Sequence, residues 1–123
     1  MKLYIFIETA DLEELNQHMI AEWQQWLDET DFAAEFVQNN MPDEESELLG
    51  DYSEMELGMV FNIKQKQRLK EPLNFLYQLA KTYRCEFVIG IIDNKTNKKQ
   101  DVCYFGHEEG KPDLYEVANY IGL

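Results

Sequence analysis

Basic side chains are missing from almost half of this 123-residue chain: after Lys2 none occurs until Lys64. All 16 acids that precede residue 57 fall inside that gap, out of 24 in the whole sequence. Residues 1–56 therefore carry a formal −15 and residues 57–123 a formal +2, which together give −13. Net charge governs solubility, steering and association rather than fold. Nucleic acid and anionic membrane surfaces repel such a chain, so neither is expected as a partner. A basic protein suits it, for example a nuclease whose surface is shaped to hold phosphates. The plainer reading, a solvated acidic face, stands beside that one.

Other absences narrow the field. The longest apolar run, Phe87 to Ile92, is strand-length, far short of the roughly 20 residues of a membrane span. The opening Met1-Lys2-Leu3-Tyr4-Ile5-Phe6-Ile7-Glu8 has too short an apolar stretch for a signal peptide and reads as a strand, so a cytoplasmic protein is expected. Two cysteines make no disulfide framework. Placed on neighbouring strands, with Ile92 opposite about Asp101, Cys85 and Cys103 lie on the order of 15 Å apart. The bridging limit is roughly 7 Å, so both are expected to be buried free thiols. The six glycines form no GxGxxG or P-loop pattern, and CxxC, HExxH and EF-hand spacings are absent. Asp43, Glu44, Glu45 and Glu47 lack the alternation and turn glycine of a cation loop. No cofactor and no metal are expected.

What is present argues for a folded core. Hydrophobic residues make up 45% of the chain, and 16 residues are aromatic. Leu3, Ile5 and Ile7 alternate with Tyr4 and Phe6 in a first strand, 2–7. A helix follows to about 28–30, capped by Thr9 or by Asp11 with Glu14, and striped by Leu12, Leu15, Met19, Trp23 and Trp26. Residues 32–38 suit a strand, with a short helix as the alternative, and 57–63 suit its partner. Between them, 39–54 reads as an acidic loop, long enough to be functional. A second helix starts near Lys70, with Pro72 in its first turn, and runs to Arg84. Residues 85–92, apolar on both faces, read as a central strand. The chain turns over 93–99 and returns over 101–106. Pro112 opens a last helix through Tyr120, capped by Gly122. The order βαββαββα predicts a single α+β domain with a ferredoxin-like βαββαβ core, extended by a C-terminal strand and helix.

Candidate chemistry is thin. His107-Glu108-Glu109 precedes a helix, where an acid/base group is plausible. With no nucleophile nearby in sequence, the turn reading of His107 is the stronger one, and the chain is not expected to be an enzyme. His18 projects from the outer face of the first helix between Glu14 and Glu22. Tyr52, amid Asp51, Glu54 and Glu56, has the setting of an aromatic anchor for a basic partner.

The passages NFLYQLAKTYRCEFVIGIID and DVCYFGHEEGKPDLYEVANYIGL, within residues 74–123, resemble small bacterial immunity proteins. Those proteins protect cells from polymorphic toxins, including the toxins of contact-dependent growth inhibition. The resemblance implies an intracellular antidote that binds a cognate toxin domain, often a nuclease, and blocks its active site or a docking surface. It carries over no site position. The charge pattern points the same way, since acidic patches steer encounters with basic targets toward about 10⁸–10⁹ M⁻¹s⁻¹. The expected partner surface spans Asp28 to Glu56 and comprises Asp31, Glu35, Asp43, Glu44, Glu45, Glu47, Asp51, Tyr52, Glu54 and Glu56. The alternative is a small regulatory or adaptor module that binds a cellular protein, as a monomer or homodimer.

Overall fold

A computed structural model describes residues 1–8, 11, 17–39 and 56–123. The described residues form one small α+β domain. Its strands are β1 (Lys2–Ile7), β2 (Ala34–Asn39), β3 (Glu56–Asn62), β4 (Glu86–Ile92) and β5 (Lys99–Gly106). Its α-helices are α1 (Gln17–Thr30), α2 (Lys70–Tyr83) and α3 (Leu114–Ile121), and a short 3₁₀ turn, Lys66–Leu69, leads into α2. The five strands form one sheet in the order β2-β3-β1-β4-β5, and each neighbouring pair is antiparallel.

Alternation divides the sheet into two faces, because successive side chains of a strand point oppositely. Leu3, Ile5 and Ile7 join Leu57, Met59, Phe61, Phe87 and Ile89 on the face that receives the three helices. Met19, Ile20 and Trp23 of α1 fill it from above, with Leu73, Leu76 and Leu79 of α2 and Val117 and Ile121 of α3. Trp23 is fully buried and meets Phe36 and Phe87 edge-on, at ring distances of 5.4 Å. Its indole N–H has no acceptor among the described residues. Helices α1 and α2 lie antiparallel, since Trp26 stacks on Phe75 at 4.6 Å while Glu22 accepts from the Tyr83 hydroxyl at 2.8 Å.

The second face carries its own apolar cluster: Tyr4, Phe6, Val37, Val88 and Ile92. Tyr4 lies over Gly90, and a Cβ at that position would overlap the Tyr4 hydroxyl and the Gln100 carbonyl. The Tyr4 hydroxyl donates to the Asp101 carboxylate. Burial, and then this bond to an anion, holds the phenol well above its usual range.

Several sequence expectations change here. Residues 34–39 are a strand, so Asn39 belongs to β2 and not to the acidic loop; residues 40–55 lie outside the described ones. Strand β5 starts at Lys99, opposite Ile92, rather than at Asp101. Between Ile89 and Gly90 the register slips, because Cys103 pairs with Ile89 but Asp101 with Gly90, and Val102 is the extra residue. Cys85 is a buried free thiol, pushed up to about 12 by burial, whereas Cys103 is free but only half-buried. Helix α3 starts at Leu114 instead of Pro112, because the Asp113 carboxylate accepts from the Glu116 N–H at 3.0 Å and caps it. The Asp11 carboxylate accepts from β4, as described below, and residues 12–16, where the helix it was expected to cap would begin, lie outside the described ones. Thr9 and Glu14 lie outside the described residues. Among the described residues no helix is long and apolar enough to cross a membrane.

Candidate partner interface

The members of the expected acidic surface that fall among the described residues are spread along the β2–β3 ladder and the corner before it. Asp28 and Glu29 occupy the last turn of α1, where no base stands, and Asp31 follows in a left-handed conformation at φ 57°. All three are exposed. Acids at a helix C-terminus oppose its dipole, and a non-glycine residue at positive φ is strained, so this corner is held at a local cost. Glu35 sits on the edge strand β2, one position inside the Ala34–Phe61 pair that opens the β2–β3 ladder, which the Asn39–Glu56 pair closes at its other end. That ladder spans on the order of 17 Å. Asp31 and Glu56 therefore belong to opposite ends of it.

Glu35 and Glu56 also face bases. With Lys2 and Lys99 they border a cavity of about 280 Å³ floored by Phe6 and Val60. Glu56 is paired with Lys99 at 2.7 Å. Such a partly exposed pair contributes at most about 1 kcal/mol, yet it removes Glu56 from the uncompensated charge. Asp43, Glu44, Glu45, Glu47, Asp51, Tyr52 and Glu54 lie outside the described residues.

A second acidic group, which the sequence reading missed, gathers where β1 ends and β4 begins. The Glu8 N–H donates to the Glu86 carbonyl at 2.9 Å, and the Asp11 N–H to the Glu8 carbonyl at 3.0 Å. The Asp11 carboxylate accepts from the Glu86 N–H at 2.8 Å. The Glu86 carboxylate in turn accepts from the backbone N–H of Glu108, and from that of Glu109 at 3.4 Å. These bonds hold Glu8, Asp11, Glu86, Glu108 and Glu109 together. Burial first, and then Asp11, Asp101, Glu86 and Glu109, hold the Glu8 carboxyl above its ordinary value. Acids 75 or more positions apart meet here through strand pairing, so no local pattern announces them.

The same end of the sheet anchors the acidic segment. Asn39 pairs with Glu56, so residues 40–55 leave and re-enter the described fold at adjacent points. Continuing the β1–β3 register beyond Phe6–Gly58 sets Glu8 opposite Glu56. Glu8 and Glu56, from either side of residues 40–55 in the sequence, thus converge on one end of one sheet.

His107 lies in the turn that Gly106 and Gly110 close by pairing with each other, and its N–H donates to the Cys85 carbonyl at 3.1 Å. Among the described residues no group of three or more His, Cys, Asp or Glu is arranged to hold a metal ion. Comparison with protein-family models, with curated proteins and with solved structures returns no match to this chain.

Proposed function

We propose that this protein is an immunity-type antidote that binds a cognate toxin domain with a basic surface, a nuclease in the reading we favour. The acidic end of its sheet is the contact face. One observation carries the reading: a chain with 16 acids and no base over residues 3–63 also brings Glu8, Asp11, Glu86, Glu108 and Glu109 to the end where its most acidic segment is anchored. Like charges so gathered repel one another, and a basic partner turns that repulsion into attraction. The strand order β2-β3-β1-β4, with α1 antiparallel to α2, supports the ferredoxin-like description, to which β5 and α3 are additions.

The test is co-expression with the product of the neighbouring reading frame, followed by association kinetics of the purified pair. Relief of growth arrest and a complex whose association rate falls steeply with salt are expected. Exchanging the exposed Glu108 and Glu109 for Lys should slow association by roughly tenfold while leaving the fold intact. Growth arrest that persists would dispose of the antidote reading. A salt-independent rate would dispose of the steering.

A further inference from the structure

The basic residues of the second half are not spread evenly. Lys64, Lys66, Arg68 and Lys70 fall within seven positions, on the 3₁₀ turn and its flanks. The start of α2 and the start of α3 together enclose a cleft of about 590 Å³, lined by Gln67, Lys70, Asn74, Lys111 and Tyr115 among others. That volume lies within the roughly 300–1,000 Å³ of small-molecule sites.

Its chemistry is specific. Lys70 and Lys111 are exposed, and among the described residues the ion pair joins Lys99 to Glu56, so neither lysine has a carboxylate partner there. The third ammonium, Lys66 Nζ, sits 5.2 Å from the centroid of the Tyr115 ring, which is 69% exposed. Asp113 also lines the cleft, but its carboxylate is engaged by the Glu116 N–H as the α3 cap. Backbone donors contribute little: the Lys70 N–H bonds the Gln67 carbonyl, and Pro72 has no N–H. Two ammonium groups, two side-chain amides and an open aromatic face are what remains.

We infer that this cleft binds a small phosphorylated ligand with a flat ring system, of the mononucleotide type. Lys70 and Lys111 meet the phosphate, and Tyr115 stacks against the ring. The amides of Gln67 and Asn74 offer polar contacts to the portion between them. The cation on one side of Tyr115 leaves the other side for stacking, a contact worth roughly 1–3 kcal/mol for a base on an aromatic ring. The attraction is local: Lys70 and Lys111 act within the cleft, while the net charge of −13 opposes an anion at long range and is screened by salt. It uses none of the residues of the proposed toxin-binding end, so the two readings stand or fall separately.

Calorimetric titration of the full chain with adenosine 5′-monophosphate, adenosine and inorganic phosphate tests it. Saturable binding of the nucleotide is expected, tighter than that of either fragment and weakened by added salt. Lys70→Ala and Lys111→Ala should each weaken it roughly tenfold, the range for losing a hydrogen bond to a charged group. Tyr115→Leu should weaken the nucleotide but not inorganic phosphate. All three positions are exposed, and circular dichroism confirms that the variants fold. No saturable nucleotide binding in the millimolar range would overturn the proposal, as would wild-type affinity in the two lysine variants. Binding of a single-stranded oligonucleotide in preference to the mononucleotide would overturn it in favour of a nucleic-acid surface.

Discussion

Glu8 shows how a single carboxyl group records its surroundings. Burial raises its pKa most, and the acids at positions 11, 101, 86 and 109 add their repulsion. The folded state therefore holds the Glu8 proton more tightly than the unfolded chain does. A raised value of this kind contributes stability that is present below the unfolded pKa and is lost as pH rises through the folded one. Mild acidification from neutrality should accordingly stabilise the wild-type protein through this group. Glu8→Gln should be more stable than wild type at pH 7 and should gain less on acidification. Urea midpoints across that pH range measure both effects, and an unchanged pH slope in the variant would contradict the assignment. Of the acids responsible only Asp11 is near Glu8 in the sequence; the burial and the other acids come from β1–β4 pairing, from β5 and from the turn after it. The buried side chains were easier to read: Leu3, Ile5, Ile7 and Trp23 occupy the inward positions that their spacing predicts.

Elements were legible wherever a hydrophobic period ran uninterrupted. Strand β1, the described part of the α1 stripe at Met19 and Trp23, and the Lys70 start of α2 agree with the sequence. The return strand did not, because Val102 is an extra residue that alternation cannot reveal, and the β4–β5 register moved by two at Ile92. Gly90 sits at that slip and admits the Tyr4 ring. Gly90→Ala should destabilise the fold by about 3 kcal/mol, at the upper end for overpacking, since a backbone carbonyl is among the atoms in the way. Equilibrium denaturation measures this, and a loss below about 1 kcal/mol would mean that Tyr4 moves aside freely. At the other edge, the acids that end α1 oppose its dipole. Glu29→Lys should raise stability by about 0.5 kcal/mol despite losing the 2.8 Å bond from Gln25. A destabilised variant would show that this bond outweighs the dipole.

At the scale of the molecule, a net charge of −13 is a standing repulsion. Raising sodium chloride from about 0.01 to about 1 M shrinks the screening length from roughly 30 to 3 Å. The thermal midpoint should rise over that interval, and a midpoint that falls would show that attractive pairs such as Lys99–Glu56 dominate instead. Counting acids along the chain was enough to suspect a basic partner, but not to choose the face proposed for it. The count could not show that Glu56 pairs with Lys99, nor that distant acids gather around Glu8. The basic cleft had a readable signal, four bases within residues 64–70, whose meaning depended on Lys111 and Tyr115 arriving from the far end of the sequence. The Asn39–Glu56 pair has one more consequence. A segment clamped by cross-strand neighbours can gain or lose residues without shifting the ladder, and doubling its length costs only about 0.6 kcal/mol in closure entropy. The length of the segment between Asn39 and Glu56 can therefore change while the sheet keeps its register, a freedom that suits the antidote role proposed above.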